Sequence, residues 1–398
     1  MSSPSAPSPF TINVPDAVLR DLAGRLGRTR FPERTAAPWQ AGTDPDYLSE
    51  LVTYWQDAFD WRARERELNA LPQFTAGIDG QRVHFVHIRA AGSRPGRPAL
   101  PLVLTHGWPS SFLEMLPLAA LLTDPGSHGG DPDDAFDVII PSLPGFAFSG
   151  LPPAGPVTPP VIADLWARLM SDVLGYSRFG AYGGDIGSHV TGFLGARHRD
   201  RILGIYTHHP NLHPVLDGAR PLSAAEQSYL AARQAEHGSD SGYAAIQSTR
   251  PDTLAAALAD SPSGLAAWLV EKYRAWSDCG DNVESRFSKD TLLTIITLYW
   301  VTGTIGSSFR SYYDDDQAPP LPRVDVPAGI TLTPEDRDYP REYAERSYPD
   351  IRQWTGPTRG GHFLALEEPA LLAADLRAFF RPLRGSFRSG GCRLAVGG

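Results

Sequence analysis

The sequence predicts an α/β fold with a mostly parallel central sheet. Strand-like apolar runs alternate with helix-length segments between residues 100 and 210, as expected of parallel strands joined by crossover helices. A glycine-rich turn at 183–188 connects a buried strand to a helix. A block of helical segments at 211–318 then interrupts the alternation. We expect this block to cover the carboxyl edge of the sheet as a lid.

Length and composition limit the classes of protein to consider. A chain of 398 residues with 42% hydrophobic residues can form one large α/β domain with additions. The formal charge of −9 argues against nucleic acid and anionic membranes as partners. The sequence contains no apolar run of about 18 residues, so no transmembrane span is expected. Residues 1–9 lack the basic and apolar regions of a signal peptide. Two cysteines without CxxC spacing imply no disulfide framework, so a cytoplasmic location is expected.

The N-terminal part is predicted to be a helical extension that includes the first strands, at 10–99, after a disordered leader at 1–9. Pro15, followed by apolar residues at helical spacing, predicts a first amphipathic helix. Residues 44–69 are predicted to form one longer helix with an aromatic stripe. The pair Asp79-Gly80 predicts a hairpin between two strands.

The core is predicted in two parts, at 100–210 and 319–384, on either side of the lid at 211–318. Buried strands are expected at 102–105, 136–140, 179–182, 202–207 and 328–332. Core helices are expected at 159–174, 188–198 and 369–380, and lid helices at 223–236, 252–259, 263–276 and 289–305. Residues 385–398, rich in glycine and serine, are expected to be a disordered tail.

The turn from Gly183 to Ser188 has the strand, tight turn and helix of a nucleophile elbow. Gly183 and Gly187 suit positions where backbones pack too closely for a Cβ atom. Asp185 stands where serine is usual. A carboxylate that attacks a saturated carbon forms an ester, which water can cleave, whereas serine would form a stable ether. The elbow therefore predicts displacement at an sp³ carbon followed by ester hydrolysis; a glycine-rich turn with a helix-capping Asp is the alternative.

Such an elbow needs a base and an acid that orients it, and in this topology the acid precedes the histidine. His362 lies in a Gly-Gly loop just before the last predicted helix, where the base is expected. Pro334, Glu335 and Asp336 follow a predicted strand and offer the acid.

Four other histidines are not assigned to catalysis. His106 is expected to buttress the loop that follows the first core strand. His208, His209 and His213 follow another strand without a supporting carboxylate motif, so no metal site is predicted.

Six ordered blocks form a family pattern: a helical segment at 10–32, HGWPSSFLEM at 106–115, GGDIGS at 183–188, SGYAAIQSTRPDT at 241–253, LYWVTGTIGSSFRSYY at 298–313 and RGGHFLALEEP at 359–369. Together they resemble the microsomal-type epoxide hydrolases, including their soluble bacterial members, from about Phe10 to Pro382. The resemblance implies an α/β-hydrolase fold with an N-terminal helical extension and a helical lid. A membrane anchor of the mammalian type is not expected in this sequence.

The resemblance also implies roles for the triad. Asp185 matches the nucleophile and His362 matches the base that activates water. Asp336 matches the acid of the bacterial members, and Glu335 is the alternative because other members place a glutamate nearby.

Further roles follow for the groups that stabilise charge. Tyr243 and Tyr312 match the two lid tyrosines that hold the epoxide oxygen, with Tyr313 as a rival to Tyr312. The backbone at Trp108 and the amide of Ile186 match the oxyanion hole. Many relatives carry tryptophan at the position of Ile186, so the pocket wall is expected to differ here.

The implied reaction adds water to an epoxide and yields a vicinal diol through a covalent alkyl-enzyme ester, without a cofactor. Tryptophans in the lid suggest a small apolar or aromatic epoxide as the substrate. A haloalkane dehalogenase with the same Asp elbow and a non-catalytic binding protein on this scaffold remain alternatives. The sequence leaves open the natural substrate, its stereochemistry, a detoxifying or biosynthetic role, and the oligomeric state, with a homodimer among the alternatives.

Overall fold

The computed structural model describes residues 4–91, 98–218, 220–236 and 241–386. In this part of the chain, nine strands form one sheet in the order β1-β2-β3-β5-β4-β6-β7-β8-β9. The strands are β1 (Ser8–Pro9), β2 (Gln73–Ile78), β3 (Gln81–Ile88), β4 (Leu100–Thr105), β5 (Phe136–Pro141), β6 (Phe179–Gly183), β7 (Ile202–Thr207), β8 (Ala328–Thr331) and β9 (Ile351–Thr355). β1 to β3 pair antiparallel, β3 joins β5 antiparallel, and the remaining pairs are parallel. The predicted α/β class with a mostly parallel sheet is confirmed.

Helices connect these strands and form the block between β7 and β8. The core and N-terminal helices are α1 (Asp16–Leu26), α2 (Pro45–Asp57), α3 (Trp61–Asn69), α4 (Leu116–Thr123), α5 (Pro159–Arg168) and α6 (Ile186–Arg197). Those between β7 and β8 are α7 (Ala224–Glu236), α8 (Gly242–Thr249), α9 (Pro251–Asp260), α10 (Pro262–Trp276), α11 (Lys289–Thr302), α12 (Ile305–Ser308) and α13 (Arg310–Tyr313). The chain continues with α14 (Arg341–Ala344), α15 (Leu364–Glu367) and α16 (Pro369–Phe380).

The single helix predicted at 44–69 is wrong, because the structure has α2 and α3 with a break between them. The Asp60 carboxylate accepts a hydrogen bond from the Ala63 amide at 3.1 Å and caps a new helix. The amide of Ala58 ends α2 by donating to the Tyr54 carbonyl at 2.9 Å. The helical spacing of the aromatic residues continues across the break, so the periodicity of the sequence does not reveal where α2 ends and α3 begins.

The prediction of a disordered leader at 1–9 is wrong for residues 5–9. Ser8 and Pro9 pair antiparallel with β2. The Ser5 amide donates to the Gly77 carbonyl at 2.9 Å, and the Gly77 amide donates to the Ser5 hydroxyl at 2.7 Å. Composition suggested disorder, but the free edge of β2 supplies partners for this segment. Residues 1–3 and most of the predicted tail, from 387, lie outside the described residues.

The hairpin predicted at Asp79-Gly80 is confirmed. Asp79 has φ 50° and Gly80 has φ 79°, the left-handed conformation that a two-residue turn of type I′ needs at both positions. Ile78 pairs with Gln81 across the turn.

The N-terminal helices pack against the helices between β7 and β8. The Thr43 hydroxyl donates to the Ala267 carbonyl on α10 at 2.6 Å, and the Tyr54 hydroxyl donates to Asp290 on α11 at 3.0 Å. Within the described ranges, no single helix is both long enough and apolar enough to cross a bilayer. The bent pair Lys289–Thr302 and Ile305–Gln317 reaches that length and apolar character only when the two helices are taken together.

Candidate active site

Asp185 lies between β6 and α6 at the carboxyl edge of the sheet. Its backbone has φ 53° and ψ −128°, a region that residues with a Cβ atom seldom occupy. A Cβ atom on Gly183 would lie 2.1 Å from the Gly187 carbonyl oxygen, and one on Gly187 would lie 2.0 Å from that of Thr105. Both glycines are therefore required by close backbone approach, and the strained turn presents the Asp185 carboxylate to the cavity above the sheet.

Two backbone amides hold the Asp185 carboxylate. The Trp108 amide donates to Oδ1 at 2.9 Å, and the Ile186 amide also hydrogen bonds to the carboxylate. Burial raises the pKa of Asp185, while these two hydrogen bonds act in the opposite direction. The structure thus brings together the two amides that the sequence assigned to an oxyanion hole.

His362 lies beside the same carboxylate. Its Nε2 atom is 3.5 Å from Asp185 Oδ2, the oxygen that the Trp108 amide does not hold. Burial, followed by the charge of the nearby His208 ring, lowers the pKa of His362 to about 3. The imidazole is therefore neutral near pH 7 and can accept a proton.

Two histidines that the sequence analysis set aside support this arrangement. The Asp185 amide donates to His209 Nδ1 at 2.8 Å, and the His209 ring centroid is 4.5 Å from that of His362. His208 Nε2 donates to the His362 carbonyl at 2.9 Å and its Nδ1 accepts from the Tyr182 hydroxyl at 2.8 Å. Their position directly after the strand beside the elbow strand is the sequence signal that could have found them.

His106 performs the supporting role expected of it. It is fully buried, and its Nε2 atom accepts from the Leu143 amide at 3.2 Å. Its Nδ1 atom lies 3.1 Å from the Gly107 carbonyl oxygen. Burial lowers the pKa of His106 to about 4, so it is a neutral support for the loop that carries Trp108.

The acid of the triad is less closely defined by the geometry. Asp336 and Glu335 lie in the turn Pro334–Asp336 and line the same cavity as His362. Among the described residues, no hydrogen bond joins His362 to either carboxylate. Asp336 Oδ2 accepts from the Thr333 hydroxyl at 3.4 Å. The choice of Asp336 over Glu335 stays a prediction.

The two lid tyrosines lie close to each other. Tyr243 on α8 and Tyr312 on α13 have ring centroids 6.0 Å apart, and both line the cavity with Asp185. Burial, followed by the charge of Asp185, raises the pKa of Tyr312 well above 10, so this phenol is protonated near neutral pH. Tyr313, the rival, is 44% exposed.

Aromatic rings and one buried cation fix the Tyr243 ring. Trp108 stacks on it with centroids 5.4 Å apart and an interplanar angle of 7°. Lys272 Nζ lies 4.6 Å from the Tyr243 ring centroid and 5.4 Å from that of Trp276. Sequence analysis did not assign Lys272, because its neighbours become apparent only in the folded structure.

The cavity has a volume of about 660 Å³. Its apolar wall includes Ile186, Leu212 and Trp276, and its polar groups include Arg233 and Asp315. Within the part of the chain that the structure describes, no group of three or more His, Cys, Asp or Glu side chains is arranged to hold a metal ion.

The sheet order, the elbow and the helices above it define an α/β-hydrolase whose elbow carries a carboxylate. Residues 7–115 match the family described as "Epoxide hydrolase N terminus". A protein of Stigmatella aurantiaca (strain DW4/3-1), provisionally named an epoxide hydrolase, is 44% identical over 380 residues, which are 95% of this chain and 85% of the relative.

Two further relatives agree with this match. Epoxide hydrolase 1 of Sus scrofa is 34% identical over 408 residues, covering 93% of this chain and 88% of the relative. The structure of Aspergillus niger epoxide hydrolase superimposes with a TM-score of 0.82 at 31% identity, covering 95% of this chain and 97% of that one. The chain belongs to the epoxide hydrolase family.

Proposed function

We propose that this epoxide hydrolase forms a covalent ester on Asp185 and cleaves it with water activated by His362. The supporting observation is that the two carboxylate oxygens of Asp185 have different neighbours. Oδ1 accepts from the Trp108 amide at 2.9 Å, whereas Oδ2 is 3.5 Å from His362 Nε2 and is available for attack. A carboxylate needs no general base to act as a nucleophile.

In the first step, Asp185 Oδ2 attacks an epoxide carbon and the bond from that carbon to the ring oxygen breaks. Tyr243 and Tyr312 donate hydrogen bonds to the oxygen, and one phenol gives it a proton. The product of this step is a hydroxy-ester of Asp185, with a tyrosinate that regains its proton in the second step.

In the second step, His362 takes a proton from water and the hydroxide attacks the Asp185 carboxyl carbon. The amides of Trp108 and Ile186 stabilise the tetrahedral oxyanion. As this intermediate collapses, protonated His362 gives its proton to the leaving alkoxide, which departs as the diol. The proton of the regenerated Asp185 carboxylic acid returns to the tyrosinate, and one solvent oxygen stays on Asp185. Asp336, with Glu335 as the alternative, orients His362 and stabilises its protonated form.

We further propose a small apolar or aromatic epoxide as the substrate. The rings of Trp276, Tyr243 and Tyr312 and the side chains of Ile186 and Leu212 provide an apolar surface beside the Asp185 carboxylate. A cavity of about 660 Å³ is within the range of small-molecule sites.

The histidine variant tests the covalent route. In His362→Gln, Asp185 can still attack, but water is no longer activated, so a stoichiometric ester should accumulate. Intact-protein mass spectrometry should show the added mass of one epoxide, and peptide mapping should place it on Asp185. A single turnover of the wild-type protein in ¹⁸O-water should give mostly unlabelled diol and labelled protein.

Labelled diol in the first turnover, together with no adduct in His362→Gln, would contradict the covalent route. Those results would instead favour direct attack by water, with Asp185 as the general base. Free halide released from haloalkanes, with no diol from epoxides, would support a dehalogenase.

A further inference from the structure

One buried carboxylate holds the loop that carries His362. Glu367, at the end of α15, is 9% exposed. Its Oε1 atom accepts from the Phe363 amide at 3.0 Å and its Oε2 atom accepts from the Gly361 amide at 3.1 Å. Since these amides belong to the residues on either side of His362, Glu367 fixes the backbone from which the imidazole projects.

The same carboxylate connects this loop to the end of the lid helix α10. Glu367 Oε2 also accepts from the Asp278 amide at 2.8 Å. The His362 amide donates to the Trp276 carbonyl at 2.8 Å. A Cβ atom on Gly361 would lie 2.7 Å from that carbonyl oxygen, so the loop and the helix end are in direct backbone contact.

We propose that Glu367 is a positioning residue for ester hydrolysis: it holds the His362 imidazole at the Asp185 ester and couples its position to the lid. The inference rests on the roles proposed above for His362 and Asp185. Glu367 acts through the loop, because the three hydrogen bonds that its carboxylate accepts come from backbone amides and not from groups of the reaction.

The two chemical steps should respond differently to the loss of this support. Alkylation depends on Asp185 and on the lid tyrosines, none of which is a hydrogen-bond partner of Glu367. Ester hydrolysis requires His362 within hydrogen-bond reach of a water beside the ester. A displacement of about 1 Å in such a site can cost about a hundredfold in rate.

Glu367→Gln is the direct test. In the wild-type protein both carboxylate oxygens accept hydrogen bonds from backbone amides. Glutamine replaces one of these oxygens with an N–H₂ group, which cannot accept a hydrogen bond from an amide. We expect the single-turnover rate constant of ester hydrolysis to fall about ten- to a hundredfold. The rate constant of alkylation should stay within about threefold of wild type. Both kcat and KM should therefore decrease as the ester accumulates.

Glu368→Gln is the matched control. Glu368 is the adjacent residue and is similarly buried, at 8% exposed, but it pairs with Arg286 at 2.8 Å and Arg359 at 3.0 Å. Its substitution removes the same charge without removing an acceptor from the amides that flank His362. Both rate constants should remain near the wild-type values.

The two rate constants can still be measured if the Glu367→Gln protein is only partly folded, because a single-turnover rate constant does not depend on the fraction of active protein. Glu367→Asp, which keeps the charge but shortens the side chain, should slow hydrolysis to an intermediate extent. Hydrolysis at the wild-type rate in Glu367→Gln would overturn the inference, and so would equal slowing of both steps. A wild-type protein that forms no ester would overturn the proposed function, and this inference with it.

Discussion

The adjacent carboxylates Glu335 and Asp336 have different electrostatic surroundings. Burial, followed by the charge of Asp336, raises the pKa of Glu335 to about 7, so this group is partly protonated at neutral pH. Burial also raises the pKa of Asp336, but the charge of Arg233 and a hydrogen bond from Thr333 oppose that shift. An acid that stabilises an imidazolium must be ionised, which favours Asp336.

Asp336→Asn should slow ester hydrolysis by about a hundredfold or more, because the amide cannot stabilise the protonated His362. Ester formation should change little, since the nucleophile is Asp185. Rapid-quench single-turnover kinetics separate the two steps. Glu335→Gln is the control and should have a smaller effect; the reverse ranking would assign the role to Glu335.

At the same scale, motif residues could be predicted and their supporting partners could not. Asp185 and His362 are recognisable because local glycine patterns mark them. His209 contacts the Asp185 amide across 24 positions of sequence, and Glu367 reaches Asp278 across 89. Such contacts depend on how separate elements meet, and neither periodicity nor composition contains that information.

At the scale of elements, the sheet was easier to predict than the helices above it. The strand at 202–207 was predicted at its observed bounds, because a buried parallel strand is a short, continuous apolar run. The helix α8 was not predicted. It has eight residues, begins at Gly242 and contains Ser248 and Thr249, which are weak helix formers, so its own sequence predicts a helix only weakly.

This unpredicted helix brings Tyr243 to Tyr312, and the short helix α13 determines which of two adjacent tyrosines faces the cavity. Tyr312 lines the cavity, whereas Tyr313 is exposed and lies under the Arg310 guanidinium at 5.3 Å. The assignment of Tyr312 as a donor to the epoxide oxygen stays a prediction, and this placement supports it.

Tyr243→Phe or Tyr312→Phe alone should slow alkylation about ten- to a hundredfold, because one phenol still donates to the developing oxyanion. The double variant should lose more than about a thousandfold in alkylation rate while its circular dichroism spectrum is unchanged. Tyr313→Phe is the matched control and should alkylate at the wild-type rate. If Tyr313→Phe alkylates slowly and Tyr312→Phe alkylates at the wild-type rate, the donor to the epoxide oxygen is Tyr313 and not Tyr312.

At the scale of the whole molecule, ion pairs differ in their exposure and in the distance along the chain that they span. Arg346, just after α14, pairs with Glu226 on α7 through two hydrogen bonds of 2.6 and 2.8 Å, and the side chains are 3% and 1% exposed. Arg341 and Glu345, on and after the same helix, form a pair at 3.2 Å with side chains 51% and 41% exposed. The first pair connects the helical block to the strand region that follows it.

Arg346→Met should lower the free energy of unfolding by about 3–5 kcal/mol at pH 7, because it leaves the Glu226 carboxylate buried and unpaired. The exposed control Arg341→Met should cost less than about 1 kcal/mol. Urea unfolding followed by circular dichroism measures both.

Hydrogen bonding to Arg346 lowers the pKa of Glu226 from 4.5 to about 2. The folded state therefore binds this proton less readily than the unfolded state, and the pair stabilises the protein fully above pH 4.5. That contribution is lost as the pH falls through about 2. The difference between wild type and Arg346→Met should accordingly be constant from neutral pH down to about 5 and shrink below it. A difference that does not change with pH in this acidic range would show that Arg346 stabilises the fold through packing and not through the charge of Glu226.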